Sequence, residues 1–263
     1  MIINSKYKSN KKKVLILGGM GLIGFETAVS FLNIGSKVTI LDKIIDVKKA
    51  KYLKKNFTKN IKLIKFEINQ KNFLKISKTF FKDHDTFINC LYIDDKKFNK
   101  ITIENLKEKD LVNSISYNIK FSMLLSLNFA KNLKKNNKKG SILNFGSIYS
   151  YVAQDSNLYK NTKIKENLGY TFFKAGLLNF NKQLCSSFSK YGIRSNIICP
   201  GGVRDKKNKL QNKQFLRNYS SRVPIGRMAK PSEIASVALF LSSDEASYIT
   251  GASIIVDGGW TVI

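Results

Sequence analysis

The sequence predicts an α/β fold: one domain with a doubly wound sheet of about seven parallel strands and helices on both faces. Three observations lead there. Short apolar runs of strand length alternate with segments of helical spacing along the whole chain. The first such run breaks into a glycine-rich turn that opens a helix. At 263 residues, 43% of them hydrophobic, the chain suits a single α/β domain with a sizeable core.

Taken in order, Val14 to Gly18 is a strand entering a turn, Leu22 to Asn33 has helical spacing, and Lys37 to Asp42 (KVTILD) is a second strand. Lys48 to Phe57 reads as a helix, Ile61 to Phe66 as a strand, Phe73 to Phe81 as a helix and Asp85 to Cys90 as the fourth strand. Glu104 to Asn136 reads as a long helical stretch with Asn118 near its middle. Ser141 to Phe145 is the fifth strand. Tyr170 to Lys190 follows as an amphipathic helix, with Phe173, Leu177, Leu178, Phe180 and Leu184 close to a 3.6-residue period. Arg194 to Cys199 is the sixth strand. Gly201 to Ser221 is polar and basic, so 203–222 is expected as a mobile loop on the substrate side. Pro231 to Leu241 is helical and Ala252 to Val256 is the last strand. Residues 1–12 are expected as a basic extension ahead of a domain at 13–263.

Composition narrows the function. No apolar run approaches the roughly 18 residues of a membrane span, and Met1 to Lys13 lacks the apolar centre of a secretory signal. Three cysteines (Cys90, Cys185, Cys199) and a single histidine, His84, offer neither metal-ligand spacing nor a disulfide framework, so no metal is expected and a reducing cytoplasm is. The net charge of +28 invites a nucleic-acid or membrane reading. The lysines, however, are spread over the whole chain, together with abundant Asn, Ile and Phe and only 3 Pro, as in an AT-rich coding sequence. Neither a specific nucleic-acid partner nor a membrane is expected.

Two constellations carry chemistry. Gly18-Gly-Met-Gly21-Leu-Ile-Gly24 satisfies G-x-G-x-x-G through Gly19, Gly21 and Gly24, between a strand and a helix. Such glycines let backbone N–H groups approach a pyrophosphate at a helix N-terminus. Asp42 ends the second strand roughly 20 positions further on, where an acid accepts from the adenosine ribose hydroxyls and repels a 2′-phosphate. NAD(H) is therefore preferred; the cation of Lys43 beside it leaves NADP(H) open. The second constellation is Tyr170-Thr-Phe-Phe-Lys174, a tyrosine and lysine one helical turn apart, downstream of Ser147. The lysine's charge is expected to bring the phenol below its usual pKa of about 10, and the serine to hold a substrate oxygen. Similar pairs occur by chance at Tyr7/Lys11, Tyr92/Lys96 and Tyr159/Lys163. Only Tyr170 opens an amphipathic helix, whereas Tyr159 sits in a polar stretch, Asp155 to Asn167, that reads as a loop.

With these residues in view, the chain from Lys13 onward resembles the short-chain dehydrogenase/reductase family. Asn89, in Asp85-Thr-Phe-Ile-Asn89-Cys-Leu-Tyr92, matches the first residue of the family's Asn-Asn-Ala-Gly motif, while Cys90, Leu91 and Tyr92 depart from it. Asn118, Ser147, Tyr170/Lys174 and Pro200-Gly201 match further family positions. The run from Pro224 to Ala235, then Phe-Leu-Ser-Ser-Asp, Tyr248-Ile-Thr-Gly and Val256-Asp-Gly-Gly, resembles the compact, oligomer-forming branch. The resemblance implies a Rossmann-like fold, a small-molecule substrate and a homotetramer or homodimer. It also implies a catalytic set of Ser147, Tyr170, Lys174 and Asn118, with Asn118 positioning a relay water. Implied cofactor contacts are Gly18, Gly19, Gly21, Leu22, Ile23, Gly24, Asp42, Glu67, Ile68, Asn89, Cys90, Tyr170, Lys174, Pro200, Gly201 and Val203.

Two departures bear on the substrate. The gap from Ser147 to Tyr170 is longer than the family's usual one, and its insert, 148–169, contains Tyr159. Asp205 stands where a threonine often holds the nicotinamide amide. With Asn89-Cys-Leu-Tyr92 and Pro-Gly-Gly-Val-Arg-Asp205, the insert is similar to a subgroup found with bacterial surface-glycan and flagellin-glycan sugar pathways. Hydride transfer on a sugar or nucleotide-sugar precursor is the leading expectation. A 3-oxoacyl-(acyl-carrier protein) reductase and a non-catalytic NAD-binding regulator are the alternatives. Trp260 and Tyr248 are expected at a subunit interface.

Overall fold

The computed structural model describes residues 11–69, 71–92, 104–109, 112, 118–162, 164 and 166–263. Strands β1 (Lys13–Leu17), β2 (Lys37–Asp42), β3 (Ile61–Lys65), β4 (Thr86–Asn89), β5 (Gly140–Phe145), β6 (Ile193–Pro200) and β7 (Ser253–Val256) form one sheet in the order β3-β2-β1-β4-β5-β6-β7. Every pairing is parallel. The helices are α1 (Leu22–Asn33), α2 (Val47–Phe57), α3 (Phe73–Thr79), α4 (Lys120–Lys135), α5 (Ser156–Tyr159), α6 (Leu168–Phe188), α7 (Lys213–Arg222) and α8 (Pro231–Ser242). The expected Rossmann-like sheet is present.

The period-2 geometry of a strand divides β1 between two cores. Val14 and Ile16 enter one with Phe31 of α1 and Ile234 and Ala238 of α8. Leu15 and Leu17 enter the other with Phe73 of α3 and Phe121, Leu125 and Phe129 of α4. All four β1 residues are buried, as a strand covered on both faces requires. Under β4, Phe129 meets Phe81 edge-on at 5.1 Å and Phe87 at 5.4 Å. His84 bridges β2 and the turn before β4 through Phe80 O (2.6 Å) and Thr39 Oγ1 (2.9 Å), and burial lowers its pKa; it is a packing residue. Arg194 donates to the carbonyls of Leu241, Ser243 and Ile249, covering the C-terminus of α8. Because β1 pairs with β2 on one side and β4 on the other, the chain reverses its winding there. A crevice opens at such a point beyond the carboxyl ends of the strands.

Three sequence expectations change. The long helical stretch from Glu104 is helical only in part among the described residues: 104–105 form a turn and 106–107 are irregular, 108–109 and 112 are helical, and α4 runs from Lys120 directly behind a wider helical turn at Asn118 and Ile119. The rest of that stretch, and Tyr7, Lys96 and Lys163 of the chance pairs, lie outside the described residues. The 203–222 segment contains α7, capped by Asn212 on Phe215 N (2.9 Å), which buries Phe215 and Tyr219. Those residues pack against Leu158 and Trp260, so a short helix is stabilised by distant partners that local periodicity does not show. Trp260, expected at an interface, is only 3% exposed and stacks on Tyr219 at 5.0 Å within its own chain.

Phe129→Ala should destabilise the fold by about 3–5 kcal/mol, the range for emptying a packed aromatic site. Denaturant unfolding measures it, and a loss well below that range would show that the Phe81–Phe87–Phe129 cluster closes over the cavity.

Candidate active site

Two adjoining cavities lie at the crevice. The larger, about 490 Å³, is lined by Gly18, Met20, Gly21, Asp42, Lys43, Glu67, Ile68 and Cys90 among others. The other, about 340 Å³, is lined by Gly21 to Gly24, Phe145, Ser147, Tyr170, Lys174, Pro200, Gly201 and Val203, among others. Gly18, Gly21, Cys90, Leu91 and Tyr92 border both, so the two form one cleft.

The loop between β1 and α1 is built from close approaches. Gly18 takes φ +76°, and a Cβ there would stand 2.9 Å from Cys90 O. A Cβ on Gly24 would strike the Gly18 carbonyl. Gly21 caps α1 without a side-chain hydrogen bond, so the helix presents backbone N–H groups to the cleft. The Asp42 carboxylate accepts from Met20 N (2.8 Å) and Ile44 N (3.2 Å), which holds it in the larger cavity. An uncapped helix N-terminus beside a fixed acid fits a dinucleotide: phosphates on the helix, a ribose on Asp42.

The other end is assembled from β5, β6 and α6. Ser147 starts a turn of 3₁₀ helix, its hydroxyl accepting from Tyr149 N (3.2 Å). Asn167 caps α6 by accepting from Tyr170 N (2.9 Å), which sets Tyr170 in the first turn. Lys174 is 5% exposed, donates to Phe145 O at 2.6 Å, and lies 5.5 Å from the centre of the Tyr170 ring. One expectation reverses here. Burial raises the Tyr170 phenol above its usual value, and the Ser147 hydroxyl draws it only part of the way back. Lys174 is not among the groups that lower it, and burial brings its own ammonium down to about 8. Cys90 and Cys199 are pushed up by burial, to about 12 and about 11, and stay thiols.

The expected residues do not all reach the cleft. Gly19 faces Ile40 of β2, where its missing Cβ makes room for that side chain. Asn89 is turned into the sheet, donating to Asn144 Oδ1 (3.0 Å) and accepting from Leu91 N (3.2 Å). Asn118 is buried in the turn ahead of α4 and lines neither cavity. Asp205 faces its own loop, accepting from Lys207 N (2.9 Å). Tyr159 is half-buried, and its phenol oxygen lies 3.0 Å from that of Tyr149. The insert around it contains α5 and packs through Leu158 and Ile164 on Phe215, Tyr219 and Trp260, contacts that its polar sequence does not suggest. Among the described residues no group of three or more His, Cys, Asp or Glu could hold a metal, and no helix is long and apolar enough to cross a membrane.

One residue escaped the sequence reading. Lys49 of α2 reaches back to the glycine loop, donating to Met20 O (2.6 Å) and Gly21 O (3.3 Å) while lying 4.8 Å over the Phe25 ring. Burial lowers its pKa. In a helix with lysines at 48, 49, 51, 54 and 55, no local signal distinguishes it.

Fold and cleft together define an α/β protein with a dinucleotide site beside a Ser/Tyr/Lys cluster, and known proteins agree. A family model described as enoyl-(acyl carrier protein) reductase matches residues 21–261. L-rhamnose-1-dehydrogenase of Scheffersomyces stipitis is 28% identical over 95% of this chain and 96% of its own. Post-translational flagellin modification protein A of Campylobacter coli is 27% identical over 95% and 98%. A crystal structure of a short chain dehydrogenase from Leptospira borgpetersenii with bound NAD+ is 31% identical, with TM-score 0.79 over 97% of this chain and 95% of that one. The chain belongs to the short-chain dehydrogenase/reductase family and is an oxidoreductase acting on CH–OH groups with a nicotinamide cofactor.

Lys49→Met keeps the aliphatic stem and removes the hydrogen bonds to the loop. Dinucleotide affinity should fall about tenfold, the scale for losing a hydrogen bond from a charged group. Lys51→Met, at an exposed position of the same helix, is the control. Unchanged binding by Lys49→Met in a cofactor fluorescence titration would remove Lys49 from the site.

Proposed function

We propose that this enzyme exchanges a hydride between a nicotinamide, NAD(H) in preference to NADP(H), and an alcohol or carbonyl carbon of a sugar or nucleotide sugar. The observation that carries the reading is that Ser147, Tyr170 and Lys174 line one cavity continuous with the one that holds Asp42. When bound, the nicotinamide supplies the hydride acceptor or donor, so no metal is required. Ser147 hydrogen-bonds the substrate oxygen. Tyr170 gives that oxygen its proton in reduction and takes it in oxidation. Its raised pKa suits the donor role at neutral pH, since the phenol is held protonated. Lys174, anchored on Phe145 O, keeps its ammonium against the Tyr170 ring and beside the cofactor ribose. Asn118, which lines neither cavity, is given the outward proton relay through water on its match to the family's central-helix asparagine.

The sugar reading draws support from the paired phenols of Tyr149 and Tyr159 near Tyr170, and from relatives whose names point to a sugar and to flagellin modification. Hydroxyl groups on rigid aromatic side chains suit a polyhydroxylated ligand, offering apolar faces and hydrogen bonds together. Self-association through the C-terminal edge is supported by Tyr248, fully exposed, and by exposed Ile255, Val262 and Ile263.

Two measurements test the reading. NADH should bind at least about tenfold more tightly than NADPH, about 1.4 kcal/mol, and Asp42→Asn should narrow the difference. Equal affinities for the unaltered protein would overturn the role of Asp42. In a panel of aldoses and nucleotide sugars assayed with NAD+, Tyr170→Phe should lower kcat by roughly 10²–10⁴ while cofactor binding survives, and Tyr159→Phe should lower it less than about tenfold. An active Tyr170→Phe beside an inactive Tyr159→Phe would move the acid/base into the insert.

A further inference from the structure

The segment leaving β4 reads Asn89-Cys90-Leu91-Tyr92, and its last residue is an aromatic where the family motif ends in glycine. We propose that Tyr92 is a positioning residue that holds the ring of Tyr170 in its reactive orientation; the inference rests on Tyr170 being the acid/base.

The backbone that presents Tyr92 is tied down on both sides. Cys90 N donates to Leu17 O at 2.9 Å, pinning the segment to β1 beside the glycine loop. Leu91 N donates to Asn89 Oδ1 at 3.2 Å, and Asn89 is itself held by Asn144 of β5. From this anchor the Tyr92 ring meets Tyr170 edge to face, with centroids 5.3 Å apart and planes at 82°. It also lies nearly parallel to Phe173, at 6.5 Å and 23°. Tyr170 and Phe173 share one face of α6, so a single ring braces both. Lys174 completes the arrangement, with its ammonium 5.5 Å from the Tyr170 ring centre and 4.9 Å from that of Phe173.

Helix geometry places the Cα of Tyr170 but leaves its ring free to turn about the side-chain bonds. An edge-to-face neighbour restricts that rotation, because the positive ring edge seeks the negative face. Placement matters steeply here, since a misplaced proton donor loses a large part of its effect. A glycine at position 92 would leave this flank of Tyr170 without a wall. Because Tyr92 borders both cavities, its ring also stands where the two halves of the cleft meet. The contacts with Tyr170 and Phe173 are made by the ring, which phenylalanine keeps.

The test uses the full chain with Tyr92→Phe, Tyr92→Ala, Tyr170→Phe and the double variant Tyr92→Ala/Tyr170→Phe. NADH affinity comes from fluorescence, and kcat and KM from whichever sugar the panel shows to be turned over. Tyr92→Phe should stay within about twofold of the parent in every constant. Tyr92→Ala should lower kcat roughly three- to tenfold, the range for an edge-to-face pair, and leave KM and the NADH Kd within about threefold. In the Tyr170→Phe background the alanine should have no further effect on kcat, as expected when one residue acts through the other. The proposal falls if Tyr92→Ala leaves kcat unchanged, if its whole effect lies in KM or NADH Kd, if the phenylalanine is as damaging as the alanine, or if the two losses multiply. Should the alanine variant fail to fold, Tyr92→Leu takes its place with the same expected outcomes. A fully active Tyr170→Phe single variant would instead sink the acid/base reading, and that arm reports it separately.

Discussion

The cleft depends on how closely the backbone of Gly18 to Gly24 can approach its neighbours. Gly18 lies against the Cys90 carbonyl, Gly19 against Ile40, and Gly24 against the Gly18 carbonyl, each without room for a Cβ. These contacts bring the start of α1 down onto the ends of β1 and β4, where the sheet changes direction. Backbone amides at an uncapped helix N-terminus then face a cavity instead of solvent or a side chain. Two charged residues hold the loop from opposite polarities. The Asp42 carboxylate accepts the Met20 N–H, and the Lys49 ammonium donates to the carbonyls of Met20 and Gly21. The same peptide segment is thus fixed at donor and acceptor alike.

At the far end of the cleft, burial decides the chemistry. Lys174, Tyr170, Cys90 and Cys199 sit together, and for each the removal of water is the largest influence on its proton. Neutral forms are favoured throughout: the lysine gives up its proton more readily, while the phenol and both thiols hold theirs. A phenol kept protonated stands beside a lysine fixed to a backbone carbonyl. Charge that develops on a substrate oxygen during hydride transfer would then meet oriented donors in a water-poor setting, where such donors act most strongly.

The cationic excess of the chain is a surface property, yet it touches the cleft at one point. Most lysines of α2 are exposed, while Lys49 is drawn inward by the carbonyls of the glycine loop and the face of Phe25. The insert behaves similarly among polar residues. Asp155 to Asn167 carries few apolar side chains, but Leu158 and Ile164 reach Phe215, Tyr219 and Trp260 and form a small core.

The strands, most helices and the glycine loop were legible in the sequence because each rests on local chemistry: apolar runs, 3.6-residue spacing, and glycines between a strand and a helix. Tyr170 and Lys174 were legible for the same reason, lying one turn apart on a helix whose apolar stripe sets its orientation. Three features were not. The helix α7 in a basic segment, the burial of Trp260 and the reach of Lys49 all depend on partners far away in the chain. The protonation of the site belongs with them. Adjacency on a helix suggested that Lys174 would lower the Tyr170 pKa, but the enclosing β5, β6 and α6 exclude water, and desolvation outweighs the neighbouring cation. Spacing along the chain determined which side chains could meet, and only the packed fold decided how much water reaches them, because burial is set by elements distant in sequence.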